Sequence, residues 1–116
     1  MDELYLSVII CTYNRDKCIY NVLKSVAEND LDTLLYEVVL VNNNSTDNTE
    51  SECKRFEIDF PNVSFQYHLE CNQGLSYARN RGIAEAKGNV VVYVDDDTLT
   101  LLLAAQSPQR DIDTHL

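Results

Sequence analysis

Apolar residues in this chain gather in short runs, and between the runs lie stretches patterned at helical spacing; the two alternate four times. Leu6-Ser-Val-Ile-Ile-Cys11 predicts a first strand, closed by the polar turn Thr12-Tyr-Asn-Arg-Asp16. Ile19, Val22, Leu23, Val26 and Ala27 then recur along one helix face. Glu37-Val-Val-Leu-Val41 predicts a second strand and leads into Asn42-Asn-Asn-Ser-Thr-Asp47. Ser45 or Thr46 is placed to cap a second helix, with Asp47 and Glu50 putting negative charge at its positive end. Cys53, Phe56 and Phe60 mark that helix's inner face, and Pro61 stops it.

In Val63-Ser-Phe-Gln-Tyr-His-Leu69 apolar residues alternate strictly with polar ones, so one face meets water or a thinner cover. That places this strand at a sheet edge. A third helix is expected roughly from Leu75 to Lys87, with Leu75, Ala78, Gly82, Ile83 and Ala86 on its packing side. Glycine inside a helix costs up to ~1 kcal/mol against alanine, so Gly82 predicts close approach to the sheet. Gly88 is a natural stop. The five apolar residues Val90-Val-Val-Tyr-Val94 read as a strand covered on both faces, and they end in Asp95, Asp96 and Asp97.

Strands and helices alternating through short connections predict an α/β fold, a mostly parallel sheet with right-handed crossovers. With the alternating strand at an edge, the simplest order is 3-2-1-4, the nucleotide-binding half of a doubly wound sheet. The polar turns after strands 1, 2 and 4 then converge at one end of that sheet, where such folds bind ligands. Residues 1–100 are expected to form this one domain. Residues 101–116 are expected to add a short helix over Leu101-Leu-Leu-Ala-Ala105 and a polar, disordered tail.

Three successive carboxylates repel one another and raise one another's pKa unless positive charge sits among them. A hard divalent cation, Mg2+ or Mn2+, answers that problem and would in turn hold a phosphate; a solvated acidic loop is the plain alternative. The net charge of −10 argues against nucleic acid and anionic lipid as partners, since both need a positive field. It also disfavours a bare nucleotide phosphate unless a metal screens it. Cys11, Cys18, Cys53 and Cys71 form no C-x-x-C pair, and most of them are expected to be small core residues in a reducing compartment. No apolar stretch is long enough to span a bilayer. The expected setting is the cytoplasm, with the inner face of the membrane as the place of a longer parent protein. Neither G-x-G-x-x-G nor G-x-x-x-x-G-K follows strand 1, which disfavours unrelated phosphate-loop and nucleotidyltransferase folds.

Four segments occur in order: Ser7-Val-Ile-Ile-Cys-Thr-Tyr-Asn-Arg15, Val41-Asn-Asn-Asn-Ser-Thr-Asp47, Asn72-Gln-Gly-Leu-Ser-Tyr-Ala-Arg-Asn-Arg-Gly82 and Val94-Asp-Asp-Asp97. Together they resemble the N-terminal half of family 2 inverting glycosyltransferases, over roughly residues 4 to 100. The resemblance implies a GT-A fold and a nucleotide diphosphate sugar donor, with a UDP-sugar favoured. It implies that Thr12, Tyr13 and Asn14 line the base and ribose and that Asn42 and Asn43 read the base. Asn42 departs from the more frequent Asp there, and Cys11 from the usual Pro. It further implies Arg79 near the base or diphosphate, Asp95 or Asp96 at the ribose, and Asp97 with Asp95 on Mn2+ or Mg2+. Taken alone, the first two segments also fit turn and cap chemistry, and Arg79 fits a solvated helix charge.

In that family the carboxylate base and the acceptor site lie beyond the matching region. The chain is therefore expected to be a donor-binding half, inactive or weakly active alone, with a saccharide, lipid-linked or protein acceptor. A non-catalytic nucleotide-binding or assembly module is the alternative. An edge left open along strand 4 would favour a homo-oligomer through the truncated sheet.

Overall fold

The computed structural model describes residues 4–96 and the backbone of residues 101–104. Strand β1 (Leu6–Thr12) leads to helix α1 (Ile19–Ala27), and a 3-10 turn (Thr33–Leu35) precedes β2 (Tyr36–Asn42). Then follow α2 (Thr49–Asp59), β3 (Ser64–Leu69), α3 (Leu75–Glu85), β4 (Val90–Val94) and β5 (Leu101–Ala104). They form one sheet in the order β3-β2-β1-β4-β5, in which β5 alone is antiparallel.

The sheet is covered on both sides, as the apolar runs require. Val8, Ile10, Val38, Leu40, Val92 and Val94 face α1 and α2, where Ile19, Leu23, Cys53 and Phe56 are wholly buried. The alternate residues Ile9, Val39, Val41 and Val91 face α3 through Ala78 and Ile83. The chain moves outward from β1 to β3 and then returns past β1 to β4. With one handedness of crossover, that reversal puts α3 on the face opposite α1 and α2. Each large aliphatic or aromatic side chain so buried contributes roughly 1.5–3 kcal/mol.

Two glycines are required by contact. A Cβ on Gly82 would lie 2.6 Å from Ile9 Cγ2, so α3 sits directly on β1. Gly88 is not the expected helix stop, because α3 ends at Glu85 with Ala86 as its C-cap. Its role is close approach: a Cβ there would lie 2.3 Å from the Tyr5 carbonyl oxygen. At this end of the sheet the Ser7 hydroxyl donates to Glu37 Oε2 (2.6 Å) and accepts from the Gly88 amide (2.8 Å). Glu37 also accepts from the Lys87 amide and from Gln66 Nε2, each at 2.7 Å.

Several local expectations are corrected. Leu101–Ala104 is a strand, not part of a short helix, and it pairs along β4 from Val91 to Val94. The edge of β4 is therefore covered, and the rationale for association through it falls; the outer strand on that side is β5. The tail expected over residues 105–116 lies outside the described residues. Leu75 is 57% exposed instead of packed, because it stands at the mouth of a cleft rather than under the helix. Neither Ser45 nor Thr46 caps α2. Asp47 does so from outside the helix, its Oδ1 accepting from the Thr49 amide (3.0 Å) and hydroxyl (2.6 Å). Of the four cysteines, all free thiols, Cys53 is fully buried, Cys11 packs partly buried against the α3 side of the core, and Cys71 is exposed.

Candidate functional site

The parallel register sets the ends of β1, β2 and β3 level, since Thr12 pairs with Asn42 and Asn42 with Leu69. On the other side Ile9 pairs with Tyr93, and the same register, continued, brings Asp96 opposite Thr12. Between β1 and β4 the helices change sides, which opens a crevice at the C-terminal ends of the strands. A cleft of about 320 Å³ lies there, bounded by Thr12 and Tyr13 after β1, Asn43 after β2, Gly74 and Leu75 at the start of α3, and Asp96 after β4. A second hollow of about 170 Å³ joins it at Cys11, Leu75 and Asp96, and adds Arg79, Tyr93 and Asp95.

The loops around this cleft are locked to one another. Asn14 and Asn44 take left-handed backbone conformations, with φ +52° and +64°, which asparagine tolerates better than most residues. The Asn14 amide donates to Ser45 Oγ (2.8 Å), while Asn14 Oδ1 accepts from the Thr46 amide (2.7 Å). Asp16 and Asp47 exchange the same kind of bond, each carboxylate accepting from an amide of the other loop. The Arg15 amide donates to Thr49 Oγ1 at 3.1 Å. The turns after β1 and β2 thus form a single unit. Asp47 is held below the usual carboxylate range: desolvation pushes it up, but the bonds from the Thr49 hydroxyl and amide and the Asp16 amide outweigh that.

The paired asparagines differ in placement. Asn42 is 2% exposed; its Nδ2 donates to the Tyr67 hydroxyl (2.9 Å) and its Oδ1 accepts from the Ser45 amide (3.0 Å). Its amide group is thus engaged inside the fold, away from the cleft. Asn43 does line the cleft, where its Nδ2 donates to the carbonyls of Glu70 (3.1 Å) and Asn72 (2.8 Å). Its Oδ1 accepts from the Gly74 amide at 2.9 Å, and its own carbonyl accepts from Gln73. Asn43 therefore fastens the loop that launches α3. Gly74 itself has φ +137°, a conformation that an L side chain rarely adopts.

Charge converges at the end of β4. Asp96, with its side chain 20% exposed, pairs with Arg15 Nε at 3.7 Å, and Asp95 is exposed at the rim of the smaller hollow. Arg79 stands over the Tyr93 ring, 5.6 Å from its centroid. Burial pushes the Cys11 thiol up to about 12; Arg79 lowers it and Asp96 raises it by smaller amounts. Cys11 is thus a neutral wall of the site and not a nucleophile. Asp97 lies outside the described residues. Among the described residues no group of three metal-ligating side chains exists. Asp95 and Asp96 are hard oxygen donors, though, and one or two carboxylates with phosphate oxygens suffice for Mg2+ or Mn2+. The donor set fits such an ion.

The expected residues Thr12, Tyr13, Asn43, Arg79, Asp95 and Asp96 are brought to these joined hollows. Asn14 and Asn42 serve instead to hold the loops in place. Gln73, Leu75 and Ala78 line the cleft without having been assigned to the site, although all three fall within a quoted segment. Arg15 also went unassigned, because nothing in its own segment signals that β4 ends beside it.

A doubly wound half-sheet with a cleft at its switch point and carboxylates on the rim is the arrangement of a GT-A-type fold. Residues 7–101 match the sequence model of glycosyl transferase family 2, and the chain belongs to that family. It is 34% identical over 93 residues to the uncharacterized glycosyltransferase YfnE of Bacillus subtilis, covering 80% of this chain and 23% of that protein. Among solved structures it is similar to the mannosyltransferase PcManGT from Pyrobaculum calidifontis in complex with GDP-Man and Mn2+. The TM-score is 0.80 and the identity 31%, over 84% of this chain and 29% of that one. It is likewise similar to S. aureus TarS 1-349 in complex with UDP, with TM-score 0.74 and 30% identity over 81% of this chain and 28% of that one. The chain spans less than a third of the length of each of these relatives.

Proposed function

We propose that this chain supplies the donor-binding half of a metal-dependent, inverting sugar transferase that takes a nucleotide diphosphate sugar, with a UDP-sugar favoured. The observation that carries it is the cleft itself: the loop after β1, the start of α3 and Asp96 after β4 enclose one space at the sheet's switch point. TarS with bound UDP supports uridine, and PcManGT with GDP-Man makes guanosine the competing base.

In this proposal Thr12, Tyr13 and Asn43 border the nucleoside. Arg79 and the amides at the start of α3 offer positive charge to the diphosphate. Asp95 and Asp96, with Asp97 of the same run, would hold Mn2+ or Mg2+. When bound, the ion supplies Lewis acidity toward the departing nucleoside diphosphate. The interlocked loops keep these groups in place before any ligand arrives, so little ordering cost attends binding. The acceptor is a saccharide, lipid-linked or protein hydroxyl, and no residue of the cleft is assigned as its base. A cytoplasmic setting belongs to the proposal and is supported by the four free thiols.

Calorimetry with UDP, GDP and dTDP, each with and without Mn2+, tests it. The expected result is Mn2+-dependent binding of UDP, weakened at least about tenfold in Asp96→Asn, since a charged ligand is lost. Absence of nucleotide binding under every metal condition would overturn it.

A further inference from the structure

The rim of the site carries its own counter-ion. Arg15 is anchored on both sides by backbone: its amide donates to Thr49 Oγ1 at 3.1 Å, and its carbonyl accepts from the amides of Cys18 (2.9 Å) and Ile19 (2.8 Å). The residue is thereby fixed where α1 and α2 both begin. From there its guanidinium meets Asp96, a residue of the cleft lining, with Nε 3.7 Å from Oδ2. The Asp96 side chain is 20% exposed and the Arg15 side chain 46%, so the pair is partly screened and can open.

From this geometry we infer that Arg15 is a latch on the acidic rim, holding the Asp96 carboxylate until a divalent cation takes its place. The inference rests on the metal-dependent reading above and adds a residue to it. A carboxylate oxygen that faces a guanidinium cannot at the same time give its full charge to a metal. Cation entry therefore competes with Arg15 for the charge of Asp96, and the latch opens where the cation wins. An ion arriving without a donor meets this competition in full. Arg15 thus lowers affinity for the bare metal and offsets part of the rim's negative charge before a cation binds.

The test uses metal alone, without nucleotide. Mn2+ affinity is measured by electron paramagnetic resonance on the wild-type chain, on Arg15→Gln, and on Arg79→Gln as a comparator. Arg79 lines the adjoining hollow with the same acids, so its removal changes the local field without unlatching Asp96. Arg15→Gln should bind Mn2+ roughly three- to tenfold more tightly than wild type, and Arg79→Gln less than about twofold. Titration with Mg2+ should also shift the Arg15 Nε–Hε resonance, assigned by its disappearance in Arg15→Gln. Equal tightening in both variants, or an unmoved Arg15 resonance while Mg2+ binds, would overturn the latch and leave the metal site standing. If no chain binds either ion, the metal-dependent reading itself fails, and the latch with it.

Discussion

Glu37 offers the sharpest test of how this fold is held together, because it is a carboxylate with 1% exposure on an interior strand of the sheet. It accepts from three donors: the Ser7 hydroxyl at 2.6 Å, the Lys87 amide at 2.7 Å and Gln66 Nε2 at 2.7 Å. Those donors come from β1, from the loop between α3 and β4, and from β3, so one side chain ties the sheet together at the end opposite the cleft. Replacing it with Gln keeps the shape and exchanges one acceptor oxygen for a donor. The Lys87 amide cannot turn away. If Gln66 turned instead, it would give up its bond to the Glu85 carbonyl (3.1 Å). Either two donors or two acceptors are then left facing each other, and the remaining bonds lose their charge. Bonds to charged groups contribute about 1.5–3 kcal/mol each, so Glu37→Gln should cost about 2–3 kcal/mol. Glu37→Ala leaves several donors unmet and a cavity besides, and should cost about 3–5 kcal/mol. Against a total stability of about 5–15 kcal/mol these losses are large. Urea unfolding followed by circular dichroism should show the midpoint falling with an unchanged slope. Nucleotide affinity of the folded fraction should stay as in wild type, since Glu37 is remote from the cleft. A Glu37→Gln midpoint equal to wild type would refute the assignment of this carboxylate as a tie between strands.

Gly82→Ala pits two effects against each other, a helix-propensity gain of up to ~1 kcal/mol and a Cβ placed 2.6 Å from Ile9 Cγ2. Overpacking of this kind costs about 1–3 kcal/mol, so net destabilisation is expected in the same urea assay, and a more stable variant would contradict it. Burial pushes the Cys11 and Cys53 thiols from 9.0 up to about 12. A raised pKa stabilises the fold fully below the unfolded value and loses that contribution as pH climbs through the folded one. Stability measured against pH should thus decline between about pH 9 and pH 12. The decline should be shallower in Cys53→Ala, and a flat profile up to pH 11 would argue against the burial account.

Strand and helix existence, order and burial were legible in the chain because they follow from spacing alone. Five consecutive apolar residues at Val90–Val94 need cover on both faces, and the pattern from Ile19 to Ala27 fits only a helix. The order of the first four strands followed from the alternation in β3 together with one handedness of crossover. What failed was local and turned on neighbours distant in sequence. Leu101–Ala104 has the composition of a helix, but an unpaired edge of β4 beside it makes strand pairing the better use of its backbone groups. Gly88 looked like a helix stop and is instead a point of contact with Tyr5 and Ser7.

The sequence by itself determined the family, the parallel sheet and the kinds of residue at the end of each strand, since all three are carried by periodicity and by short contiguous segments. Only the tertiary structure decided which of those residues face the cleft. Asn42 and Asn43 are adjacent in the chain, yet one turns inward to Tyr67 and the other binds the loop before α3. Arg15 and Asp96 lie at the ends of different strands, and only the register between β1 and β4 sets them 3.7 Å apart. A side chain's direction depends on the partners that satisfy its hydrogen bonds and its charge. Those partners are chosen by packing, which a single segment does not contain.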